Sequence, residues 1–201
     1  YQGFDVTPKA TGTDTYTFKM PATSVIVKAE FETICDGGKD CNATSYTDID
    51  TSKWYHGYID FVVANKIMEG VSSASFDPHG TASRAMIATI LYRMDGKPAV
   101  FFNASFPDVK QGVWYSDAIA WATANGIFEG YDDGTFAPNK SVTRQELAVV
   151  LYRYASYKGY DTSAKADLSS FSDADKVASW ARPAMEWAVA VGLIQGNDDN
   201  T

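Results

Sequence analysis

The chain has 201 residues, 45% hydrophobic and 14% aromatic, enough for one compact domain and a smaller module, and it is not a disordered tail. Seventeen Lys and Arg stand against 25 Asp and Glu, a formal charge of -8, which argues against a protein that binds nucleic acid or an anionic membrane through a broad basic face. No run of about 18 apolar residues predicts a membrane-inserted helix, and the opening YQGFDVTPKA has neither the basic nor the apolar stretch of a signal peptide.

Residues 1–33 contain two runs rich in Thr, Val and aromatics, 15–19 and 24–31, separated by Met20, Pro21 and Ala22. They predict a small β-hairpin that cannot stand alone, read as the end of an upstream β module. A linker follows over 34–45 and holds both cysteines, Cys35 and Cys41, in the string CDGGKDC. The intervening glycines could let the sulfurs meet, and an exported protein would keep the disulfide. The alternative is two thiols in a flexible linker. With two cysteines and two distant histidines, His56 and His79, a zinc site lacks ligands.

From residue 46 onward the chain repeats. A shift of 60 residues lays 46–94 on 106–154 without a gap. Asp48 falls on Asp108, Trp54 on Trp114, Ala64-Asn65 on Ala124-Asn125, Glu69-Gly70 on Glu129-Gly130, Phe76 and Pro78 on Phe136 and Pro138, and Arg84 on Arg144. A third copy opens at Phe171, passes through Asp173, Trp180 and Trp187, and reaches Gly196. The copies divide as 46–100, 101–165 and 166–201, the third about half as complete as the others.

Each copy reads as two helices joined by a turn. The first helix is expected from about Trp54 to Met68, with Tyr55, Ile59, Val62 and Ile67 near one face, and Tyr115, Ile119, Ala122 and Ile127 in the second copy. Gly70 and Gly130 then stand where a left-handed helix stop is expected. In the second helix, Ile87, Ile90, Leu91 and Met94 match Leu147, Val150, Leu151 and Tyr154 at core spacing. Ser83 and Thr143 are the expected N-caps, and Thr143 with Glu146 makes a capping box that Met86 weakens in the first copy.

The strings Tyr46-Thr47-Asp48-Ile49, Trp54-Tyr55, Phe76-Asp77-Pro78 and Ser83-Arg84-Ala85-Met86, with FPDV, WY, IFEGYDDGTFAP and TRQE in the second copy, resemble S-layer homology repeats over residues 46–201. The stretch YTFKMPATSVIVKAEF resembles, more weakly, the closing strands of internalin-type β repeats of bacterial surface proteins. The first resemblance implies a mainly α pseudo-threefold bundle, here with a small N-terminal hairpin, and sugar-binding grooves between neighbouring copies. It implies non-catalytic anchoring of an exported protein at the bacterial cell wall or S-layer, through a secondary cell-wall polysaccharide commonly carrying pyruvate ketals. No cofactor, nucleic acid or membrane insertion is implied. Position by position, recognition falls on Asp48, Trp54, Gly70 and Arg84, on Asp108, Trp114, Gly130 and Arg144, and on Asp173, Trp180 and Gly196. Met86 in place of the family's Glu, and Gln145 in place of its Ala, depart from the pattern.

The residues themselves allow blander readings. Arg84 and Arg144 follow a helix N-cap, where the macrodipole disfavours a cation by about 0.3–1 kcal/mol. A bound carboxylate, held by main-chain N–H groups and the guanidinium fork, would offset that cost. So would pairing with Asp48, Asp108 or Asp173 across a repeat interface. Each tryptophan taken alone reads as a packing residue, though its face could stack on a sugar ring. The glycines taken alone read as helix stops, and Arg93 and Arg153 as surface charges at a helix end. Asp132-Asp133 and Asp198-Asp199 suggest turn chemistry before acid/base catalysis. YDDGTF lacks the last carboxylate of a calcium loop. Self-association of unsatisfied repeats, building a surface lattice, is the competing function.

Overall fold

The computed structural model describes residues 41–102 and 105–197. The expected hairpin and most of the linker, Cys35 included, lie outside these residues, so the Cys35–Cys41 pairing is not described; Cys41 itself is buried. A short 3-10 turn at Asn42–Ser45 leads into α1 (His56–Ala64), followed by α2 (Arg84–Met94), α3 (Ser116–Ala124), α4 (Arg144–Tyr157), a 3-10 turn at Ala174–Lys176, and α5 (Arg182–Ala190). Among the described residues the extended pairing is an isolated antiparallel bridge between Ser83 and Ser141, so the mainly helical expectation holds for this part of the chain.

The first helix of each copy is shorter than its apolar pattern suggests. Trp54 and Tyr55 lie in the preceding turn, and α1 stops at Ala64. Ile67 still reaches the core side because the chain reverses in a Schellman motif: Lys66 N–H donates to Val63 O at 3.0 Å and Ile67 N–H to Val62 O at 2.9 Å. The left-handed residue is Lys66, with φ 56°, and its counterparts are Gly126 and Gly192, not Gly70 and Gly130. The pattern overran because an apolar residue just past a Schellman turn packs as though it were still helical.

Helices pack across copies. The second helix of one copy, α2, lies on the first helix of the next, α3, and α4 lies on α5 in the same way. Ala85 and Ala88 of α2 with Ala118 and Ala122 of α3 allow close approach, and Ala148, Ala155, Ala184 and Ala188 do so at the second junction. Ile119, Ile127 and Phe136 are fully buried around the first junction, each worth about 1.5–3 kcal/mol of transfer from water. Of the expected stripe on the second helices, Leu91, Val150 and Tyr154 are buried and Ile87 and Leu151 pack against the core, alanines beside them are buried as well, and Met94 is exposed.

Candidate functional site

Asp48 and Asp108 are loop fasteners within their own copies. Asp48 accepts N–H bonds from Phe76 at 2.9 Å and Asp77 at 2.8 Å, and the Ser75 hydroxyl at 2.8 Å. Asp108 accepts from Phe136 at 3.0 Å and Ala137 at 2.7 Å. In both loops the residue after the phenylalanine is left-handed, Asp77 at φ 60° and Ala137 at φ 54°, and the carboxylate offsets that strain by holding its N–H. The Phe76 and then the Asp77 N–H draw the Asp48 carboxyl down to about 2. Pairing of these aspartates with the arginines is not what the structure shows.

Arg84 is inserted into the second copy. Its Nε donates to Phe136 O at 2.8 Å and its Nη2 to Glu129 O at 2.5 Å. The guanidinium lies 4.5 Å from the Tyr131 ring centre, 4.6 Å from Phe136 and 5.1 Å from Phe128, favourable cation–π geometry. Burial lowers its pKa, and Tyr131 and Glu146 oppose that shift. The N–H groups of Arg84 and Ala85, which would have received a ligand carboxylate, donate instead to Lys140 O and Pro138 O. Arg144 makes the corresponding contacts to the third copy at the exposed surface: Nη1 donates to Asn197 Oδ1 at 2.9 Å, and Nη2 to Gln195 O. Gln145, the departure from the family pattern, accepts the Ala178 N–H at 3.1 Å and so also joins copies two and three.

Gly70 and Gly130 are needed for close approach. A Cβ on Gly70 would sit 2.3 Å from Ser75 O and 2.4 Å from the Tyr46 ring; on Gly130 it would sit 2.3 Å from the Phe106 ring. Arg93 and Arg153 are ion-paired, at 2.9 Å, to Glu69 and Glu129, so they tie each second helix to the turn after its own first helix.

The three tryptophans are exposed, Trp54 at 83%, Trp114 at 62% and Trp180 at 58%, which removes the packing reading. Trp54 stands edge-on to Tyr55 and Tyr58, and Trp114 edge-on to Tyr115. Two open cavities gather the candidate residues. One, of about 160 Å³, is lined by Arg84 of the first copy, Gly130 and Arg153 of the second and Trp180 of the third. The other, of about 290 Å³, brings Arg144 together with Asp173 and Gly196. Asp48, Trp54, Gly70, Asp108 and Trp114 line neither.

Tyr131, not among the expected site residues, and Glu146, expected only as a cap, also line the first cavity, with Lys140 beside Tyr131. The Tyr131 ring is held between Arg84 and the Lys140 ammonium, 4.2 Å from its centre. Its hydroxyl donates to Glu146 Oε1 at 3.0 Å. Burial tends to raise the Glu146 pKa, but the Thr143 N–H and hydroxyl and the Tyr131 hydroxyl outweigh it, so the net shift is downward and the carboxylate stays charged. The available signal was a difference between copies: the first has Val71, Gly80 and Met86 at these three positions. The Met86 sulfur still takes the Ser83 N–H, at 3.4 Å, so the weaker cap persists.

A family model described as S-layer homology domain matches residues 45–86, 105–148 and 170–201. The Surface-layer 125 kDa protein of Lysinibacillus sphaericus is 40% identical over 134 residues, 67% of this chain and 11% of that protein. The Cellulosome-anchoring protein of Acetivibrio thermocellus is 34% identical over 141 residues, 67% and 30% respectively. Exoglucanase XynX of the same species is 30% identical over 162 residues, 79% and 14%. The chain thus spans less than a third of each of these relatives.

Proposed function

Since the chain belongs to the S-layer homology family, we propose that it is a non-catalytic anchor that holds an exported bacterial protein at the cell wall by binding a wall polysaccharide that bears carboxylates, with pyruvate ketals as the class. The supporting observation is the cavity where Arg84, Gly130 and Trp180, contributed by three different copies, meet. Its chemistry suits an acidic sugar. Trp180 offers an exposed ring face for a pyranose, and Arg153, partly exposed and paired with Glu129, stands beside the buried Arg84, where a sugar carboxylate could take over its guanidinium from Glu129. The second cavity offers Arg144 in the same role. Two weak sites on one chain gain avidity on a repeating polymer. Relatives named for a surface layer, for cellulosome anchoring and for glucan hydrolysis fit a module that serves unlike cargoes. In an exported chain the Cys35–Cys41 disulfide would persist, and a thiol titration of the native protein finding two reactive thiols would refute it.

The test is calorimetry against purified wall polysaccharide, before and after mild acid removal of ketals. Binding that falls at least tenfold on ketal removal and in Trp180→Ala, at unchanged thermal stability, supports the reading. Binding that ignores both excludes this groove. Absence of binding together with concentration-dependent association supports lattice assembly instead.

A further inference from the structure

In the smaller cavity the donors that could meet a ligand anion are already engaged. Arg84 donates through Nε to Phe136 O at 2.8 Å and through Nη2 to Glu129 O, and the N–H groups of Arg84 and Ala85 go to Lys140 O and Pro138 O. The second arginine of the cavity, Arg153, donates through Nη2 to the Glu129 carboxylate at 2.9 Å. That pair is loosely held, since the Arg153 and Glu129 side chains are 33% and 70% exposed. An ion pair so exposed alters a binding constant by at most about fivefold. Glu146 faces the same cavity, but its carboxylate is fixed by the Tyr131 hydroxyl at 3.0 Å and the Thr143 N–H at 2.8 Å. Glu129 differs: its carbonyl is held by Arg84, so its side chain can leave Arg153 by rotating about its own bonds while the main chain stays in place.

Building on the acidic-sugar reading of this groove, we infer that Glu129 is an internal competitor for the ligand's carboxylate and holds the affinity of the site down. A sugar carboxylate replaces Glu129 on the Arg153 fork, one ion pair is exchanged for another, and the released Glu129 turns to solvent. A neutral sugar has nothing to offer in exchange and leaves the pair in place. Each groove is thereby kept weak and readily reversible towards an acidic ligand, and the strength of anchoring comes from several sites on a repeating polymer. The chain carries a neutral residue at the corresponding position of the third copy, where Gln195 precedes Gly196 and its carbonyl accepts from Arg144. An amide side chain at this position is therefore compatible with the main-chain contact from the preceding copy.

Glu129→Gln removes the charge and keeps the shape. A methyl pyranoside carrying a pyruvate ketal is titrated into the native 201-residue chain and into the variant, with the Trp180 indole N–H signal as the NMR readout, and the same pyranoside without the ketal is the second probe. The ketal should bind the variant about two- to fivefold more tightly, and the ketal-free pyranoside should bind both chains equally. Loss of a merely structural contact would not tighten binding. Glu69→Gln breaks the same pair in the first copy, with Arg93 at 2.9 Å, away from either cavity, and should leave both affinities unchanged. If Glu129→Gln does not fold, the side-chain carboxyl signal of Glu129 in the native chain decides, since it should move to the position of a solvated glutamate as the ketal saturates. The competitor role is overturned, with the acidic-sugar reading left standing, if the native chain binds the ketal and the variant binds it no more tightly, or if the Glu129 signal stays where it was. An equal gain for the ketal-free pyranoside overturns it too, and failure of both chains to bind the ketal overturns both readings.

Discussion

The Arg84 guanidinium donates to the main-chain carbonyl of Glu129, one residue before Gly130, while the Glu129 carboxylate pairs with Arg153. One residue of the second copy therefore receives an arginine from the copy before it and one from its own second helix. Arg144 repeats the first contact on Gln195, one residue before Gly196. The arginine after the N-cap is thus a strut between successive copies as well as a lining residue.

Arg84→Lys should test the strut. Lysine keeps the charge but cannot reach Glu129 O and Phe136 O together, so a buried carbonyl loses its donor. The expected loss is about 1.5–3 kcal/mol in urea unfolding. Arg144→Lys, at the exposed equivalent, should cost less than about 1 kcal/mol. Equal losses at the two positions would show that burial at the first junction does not set the strength of the contact.

Gly130→Ala should destabilise the second copy, for a different reason from the one spacing suggested. The new methyl would meet the Phe106 ring at 2.3 Å and Thr135 O at 2.9 Å, and the ring is already packed on Phe136. Overpacking of this kind costs about 1–3 kcal/mol. A thermal melt unchanged from the native chain would mean that the loop 131–137 yields freely.

The repeat, the caps and the helix pairs were legible because they depend on local spacing and on a chain compared with itself. Thr143 and Glu146 form the box their spacing announces. What was not legible was set by contacts between copies. Nothing in the spacing of Arg84 says that the N–H groups beside it are taken by Pro138 and Lys140. Glycines 70 and 130 looked like helix stops because they follow the last periodic residue, whereas the true stop lies four positions earlier. The tryptophans looked like core because composition weights size, and only the turn before each first helix shows that they face outward.

Lys66→Gly should stabilise the chain. Lys66 sits at φ 56° in the Schellman turn that ends α1, where the equivalent positions in α3 and α5 carry Gly126 and Gly192. A non-glycine residue in this region bears a penalty of roughly 1–2 kcal/mol, partly offset by the extra unfolded-state entropy of glycine. The net gain should be near 1 kcal/mol, read as a higher urea midpoint at unchanged slope. A loss of stability would mean that the Lys66 side chain makes a contact worth more than the strain.

Asp48 should make the first copy sensitive to acid. Its folded pKa of about 2 lies below the ordinary 3.8, so the unfolded chain takes up a proton at a higher pH than the folded one. The stabilisation is complete above pH 3.8, shrinks as pH falls through that window, and is gone below about 2. A carboxyl NMR titration should give an Asp48 midpoint near 2, and hydrogen exchange at the Phe76 and Asp77 amides should quicken as the pH falls through the window, beyond the intrinsic trend. In Asp48→Asn that pH-dependent part should vanish, because an amide does not ionise in this range, and exchange should be faster at every pH, because the amide oxygen cannot accept both N–H groups in the carboxylate's geometry. A midpoint at the ordinary value would show that these N–H bonds do not favour the ionised group.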